Sequence, residues 1–75
     1  MPSLPDHVPL QEAVAKVEQA IGTSEQAITR QLLLIETLAT EGRDTNPARE
    51  LLRVAEEHLA ALHVRRRQLL DASAA

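Results

Sequence analysis

The sequence predicts an all-α protein, an antiparallel helical hairpin that dimerises into a four-helix bundle or coiled-coil assembly. Leu10, Val14, Val17, Ile21, Ser24, Ile28, Gln31, Ile35 and Leu38 recur at alternating spacings of four and three, a heptad stripe that specifies one long helix in need of a partner. A polar connection, Glu41-Gly-Arg-Asp-Thr-Asn-Pro47, then separates it from a second run of helical periodicity. The 75 residues contain no Cys and no aromatic side chain, so the core consists of Leu, Ile, Val and Ala without a disulfide staple. A chain of that size gains only marginal stability from one core of its own, which makes assembly the expected source of further burial.

Residues 1–8 read as a flexible proline-rich tail, and residues 9–71 as a single hairpin domain with its turn near 41–46. Pro9 suits the first turn of a helix, where a backbone N–H is not needed, and Asp6 or the backbone near His7 can cap it. The first helix then runs to about Thr40. Gly42 can take the left-handed conformation beyond its last turn. Asn46 followed by Pro47 marks the restart, the Asn as cap and the Pro at the first helical position. Leu51, Leu52, Ala55, Leu59, Leu62, Leu69 and Leu70 define one apolar face of the second helix, interrupted at Arg66. Residues 72–75 read as a frayed end. A break of the first helix at Gly22, capped by Thr23 through Gln26, is the alternative. The heptad register continues unchanged across Gly22, which favours continuity.

Folding back around Gly42 to Thr45 is expected to bring Ile35 near Leu51 or Leu52, Gln31 near Ala55, Ile28 near Leu59, Ser24 near Leu62 and Ile21 near Arg66. The apolar surface of the first helix is wider than a two-position seam, because Ala13, Ala20, Ala27 and Leu34 form a second row beside Val14, Ile21, Ile28 and Ile35. Two rows per helix are what a four-helix arrangement uses. The expected packing and dimer surface therefore comprises Leu10, Ala13, Val14, Val17, Ala20, Ile21, Ala27, Ile28, Leu34, Ile35 and Leu38 of the first helix. Leu52, Ala55, Leu59, Leu62 and Leu69 complete it from the second. A parallel coiled coil through the first-helix stripes also fits the heptads. Ser24 and Gln31 read as register-setting polar residues, since a half-buried amide must find a partner.

Eight basic and eleven acidic residues give a net charge of −3, which disfavours generic binding to a phosphate backbone. The start carries no basic segment followed by an apolar stretch, and Leu32-Leu-Leu-Ile35 is far too short to span a bilayer. A cytoplasmic protein without membrane contact is the expectation. Two glycines cannot build a phosphate-cradling loop, and Ser24 and Ser73 lack a His-carboxylate arrangement. His58 and His63 fall outside the spacings of helical metal sites, so neither a cofactor nor a metal is expected, and no enzyme activity. Arg65-Arg66-Arg67 is the concentrated charge run, and antiparallel pairing can bring it toward Glu18 or Glu25. With Arg49, Arg53 and Glu56 it forms the candidate surface for a further partner.

The segments Glu41-Gly-Arg-Asp-Thr-Asn-Pro-Ala-Arg-Glu-Leu-Leu52 and Glu56-Glu-His-Leu-Ala-Ala-Leu62, followed by the arginines, resemble a set of small uncharacterised helical-hairpin proteins of rhizobia and related alphaproteobacteria. The resemblance spans residues 10–70 and departs at Ala20-Ile-Gly-Thr23, where similar proteins carry more charged or longer side chains. It implies a helix, a glycine-containing turn, a second helix rich in Leu, His and Arg, and a bacterial source. It assigns no activity to any residue. The functional expectation is thus a homodimeric, non-catalytic interaction or scaffold module, possessing another protein as partner. The alternative is a nucleic-acid-associated regulator that uses the arginines of the second helix.

Overall fold

The structure, a computed structural model, describes residues 7–74, with side chains from residue 9 onward. Two helices, α1 (His7–Thr40) and α2 (Asn46–Ala74), pack side by side as an antiparallel hairpin. α1 starts two residues before Pro9, and the expected cap at Asp6 lies outside the described residues. It continues through Gly22 without a break. Space explains why this glycine is tolerated rather than required: a Cβ built there meets nothing within 4 Å.

α1 ends in a Schellman motif. Gly42 has φ +69°, its N–H donates to the carbonyl of Ala39 at 3.0 Å, and the Arg43 N–H donates to that of Leu38 at 2.9 Å. Two orphan carbonyls of the last turn are thereby satisfied, and the chain reverses. The restart differs by one residue from the expected cap at Asn46. The Thr45 carbonyl already accepts the Arg49 N–H at 2.9 Å, so Thr45 is the cap residue and Asn46 the first helical one. The Asn46 N–H donates to Asp44 Oδ1 at 2.9 Å, so the neighbouring carboxylate satisfies the orphan donor. At the other end α2 stays helical to Ala74, beyond the fraying expected from residue 72.

The seam follows the heptads. Val17, Ile21, Ser24 and Ile35 of α1 are buried, as are Ala48 and Leu69 of α2. Leu10, Val14, Ile28, Leu38, Leu52, Ala55, Leu59 and Leu62 are half-buried around them. Two expectations need correction. Leu51 is 62% and Leu70 39% exposed, so neither belongs to the seam face of α2. Each lies beside a seam position, Leu51 just ahead of Leu52 and Leu70 just after Leu69, and a two-helix pair covers only the seam itself. The helix pairing is also displaced toward the start of α2: Gln31 reaches the Ala48 carbonyl, two turns before Ala55. Arg66 meets Glu18, one of the two carboxylates expected to face the arginine run, one turn from Ile21. Ala48 is the cause: its small side chain closes the seam in the first turn of α2, one turn before Leu51 and Leu52.

The two glycines should respond oppositely to substitution by Ala. Gly22→Ala removes backbone entropy at an open helical site and is expected to raise stability by about 1 kcal/mol. Gly42→Ala forces a Cβ into the left-handed region and is expected to lower it by about 1–2 kcal/mol. Thermal unfolding followed by circular dichroism, at one protein concentration, reads both.

Candidate interaction surface

In an antiparallel pair the residues just ahead of the seam positions on both helices fall on the same side. On α1 these are Ala13, Ala20, Ala27 and Leu34, and on α2 Leu51, His58, Arg65 and Ala72. One observed groove confirms the placement: Ala20, Ala27 and Lys16 of α1 line it together with Ala55 and His58 of α2. It is open to solvent and has a volume of about 610 Å³, with alanines rather than larger side chains along its floor. Ala13, Ala20 and Ala27 are half-buried, whereas Leu34 is 45% exposed.

Among the described residues seven large aliphatic side chains are exposed, seven are half-buried and four are buried. Leu32, Leu33, Leu34, Leu51, Val54, Val64 and Leu70 are exposed, against Val17, Ile21, Ile35 and Leu69 buried. No side chain among the described residues is wholly enclosed. Single exposed leucines are ordinary, but Leu34, Leu51 and Val54 crowd one flank near the turn and continue into the alanine groove, which is the form of an interaction surface. Helix periodicity puts Val54 there, since it lies three residues beyond Leu51 on the same side of α2.

Two polar residues fix the pairing. Gln31, half-buried, donates from Nε2 to the Ala48 carbonyl at 2.9 Å and ties the last turns of α1 to the first turn of α2. Ser24 is buried with no unsatisfied side-chain atom. Both were legible as oddities of the stripe; Ala48, the most buried hydrophobic residue at 5% exposure, was missed. Its signal was present in the spacing, four residues before Leu52, and was hidden by the expectation that the Asn-Pro restart precedes the packed face.

The candidate partner-binding arginines do not gather into one patch. Arg53 is held by Glu50 and Glu57 on its own helix, and Arg49 Nε donates to the Thr45 hydroxyl at 3.0 Å. Arg66 is half-buried and reaches across the hairpin to Glu18, with Nη2 to Oε2 at 3.1 Å. Glu56, Arg65 and Arg67 are exposed, and Arg49 sits at the opposite end of α2 from the arginine run. The Arg53 hydrogen bond, and then its charge, hold the Glu50 carboxyl below the usual carboxylate range, while the same pair raises Arg53. These exposed pairs contribute little to stability.

Among the described residues no group of three or more His, Cys, Asp or Glu side chains is placed to hold a metal ion, and no helix is long and apolar enough to cross a membrane. The architecture defines the class, a two-helix antiparallel hairpin with one open apolar flank. Comparison with protein-family models, curated proteins and solved structures finds no match to this chain.

Proposed function

We propose that the chain is a non-catalytic protein-interaction or scaffold module that works as a homodimer, two hairpins completing a four-helix bundle through the flank of Ala13, Ala20, Ala27 and Leu34. The observation that carries this reading is the thin core: among the described residues four large aliphatic side chains are buried, seven half-buried and seven exposed, with Leu34, Leu51 and Val54 of the exposed ones on the flank where the groove lies. Burying such side chains contributes about 1.5–3 kcal/mol each, which a chain of this size needs for a secure fold. Assembly by a twofold axis lets one surface serve both copies. Glu56, Arg49, Arg53 and Arg67 lie on the other side of the seam and are the residues left to meet another protein, whereas Arg65 lies at the edge of the contact region.

A nucleic-acid role for the arginine run has less behind it. Arg66 is committed to Glu18 and Arg53 to Glu50 and Glu57, which leaves scattered cations on a chain of net charge −3.

Molar mass by light scattering across a dilution series, with helicity followed on the same samples, tests the reading. A mass near twice the 8.2 kDa chain, falling together with helicity on dilution, is the expected result. A fully helical monomer at every concentration would contradict it.

A further inference from the structure

We propose that the open flank is a docking groove for an acidic amphipathic helix of another protein. The inference goes beyond the dimer reading, and where both hold, the helix and the second copy compete for one surface. A helix is the fitting shape. The groove runs between two antiparallel helices, has alanines along its floor, and continues toward the turn into exposed Leu34, Leu51 and Val54. A partner helix can lay one apolar ridge along such a groove, and no open sheet edge exists here for an extended peptide to join.

Charge defines the partner. Lys16 and His58 line the groove. Arg65 lies one heptad beyond His58 in the same row of α2, and the bond from Arg66 to Glu18 places it within about one helical turn of Lys16 across the open end. Arg30 continues the row of Lys16 and Thr23, at the margin between the groove and the back of α1. Among the described residues Lys16, Arg30 and Arg65 make no ion pair, and the helix rows that border the groove hold no carboxylate. The described carboxylates sit elsewhere: Glu18, Glu25 and Glu56 across the seam, Glu12, Glu36, Glu50, Glu57 and Asp71 on the helix backs, Glu41 and Asp44 in the turn. A chain of net charge −3 thus keeps one flank cationic, and that flank is the open apolar one.

Other occupants match the flank less well. A second copy offers the same leucines but brings a second cationic rim against the first, and like charges so opposed weaken a contact. Carboxylates bordering an apolar ridge strengthen it instead and select for that partner. A phosphate backbone or an anionic membrane surface would meet the cations, yet neither lays an apolar ridge into a concave groove, so the alanine floor would stay uncovered.

Fluorescence anisotropy with two synthetic probes tests the proposal. One labelled helical peptide of about 18 residues, enough to reach from Lys16 to Leu34 at roughly 1.5 Å per residue, carries a leucine stripe bordered by glutamates; the other carries lysines in their place. The chain is expected to bind the glutamate peptide at least about tenfold more tightly, with the preference shrinking as salt is added. K16E/R65E should abolish or reverse the preference with helicity unchanged. R49E/R67E, which alters the net charge equally on the other side of the seam, should leave it in place. Light scattering on the same mixtures should show the dimer giving way to one chain with one peptide. Equal binding of the two peptides, binding of neither, equal sensitivity to R49E/R67E, or a preference for phosphatidylserine vesicles or duplex DNA over the glutamate peptide would overturn the groove while leaving the dimer reading intact. A peptide held by an undissociated dimer would place the docking on another surface and overturn it as well. A monomer at every concentration that keeps the glutamate preference would overturn the dimer and support the groove.

Discussion

Replacing Leu34 and Leu51 together by Lys is expected to convert the protein to a monomer at concentrations where the unsubstituted chain is a dimer. Twofold symmetry makes each substitution count twice, so four leucines leave the contact. At about 1.5–3 kcal/mol per buried leucine, discounted by about half because both begin half-covered, the dissociation constant should rise by at least about a hundredfold. Four ammonium groups in their place would add repulsion. Light scattering measures the change, and a matched pair on the opposite flank, Leu32→Lys with Leu70→Lys, supplies the comparison. Leu32 and Leu70 are 51% and 39% exposed, much like Leu34 and Leu51 at 45% and 62%, so exposure alone cannot distinguish the pairs. A larger loss of association from the Leu32 and Leu70 pair would place the contact on the wrong flank.

Truncation within the seam should act on folding itself. Ile21→Ala removes a side chain that is 8% exposed, and Ile35→Ala another of equal burial near the turn. Large-to-small changes at such sites cost about 2–4 kcal/mol, through lost transfer energy and the cavity left behind. For a small hairpin that is a large share of the total, and either variant should be mostly unfolded at concentrations where the dimer no longer helps. Val64→Ala, on the exposed back of α2 at 55% exposure, should change stability by no more than about 0.5 kcal/mol. Urea unfolding at one fixed protein concentration measures all three. Equal effects at Ile21 and Val64 would mean that the seam is not where the stability lies.

The hairpin was legible because its two strongest signals are local. Heptad spacing in α1 names Val17, Ile21 and Ile35 without reference to α2, and Gly42 marks a reversal that needs a positive φ. The register between helices was less so, since it depends on where the second seam begins. Ala48 has too short a side chain to stand out among Leu51 and Leu52, yet it is the residue small enough to close the first turn against α1. The restart at Thr45 shifted for a related reason: the Asp44 carboxylate takes over the cap that Asn46 seemed suited to supply. The candidate surface was half legible. The Ala13, Ala20, Ala27 and Leu34 row follows from periodicity, but its continuation through Leu51 and Val54 needed the register. Arg66 was legible in part, since antiparallel pairing already offered Glu18 to the arginine run, and the fold commits its central arginine there.

The central claim is that a second copy covers the alanine flank. Isotope-filtered nuclear Overhauser spectroscopy on a mixture of labelled and unlabelled chains tests it directly, because it reports only contacts between copies. The account predicts intermolecular contacts at the methyl groups of Ala20, Ala27, Leu34 and Leu51. Contacts confined to Leu32 and Leu70, or none at the alanines in a sample that is dimeric by mass, would contradict it.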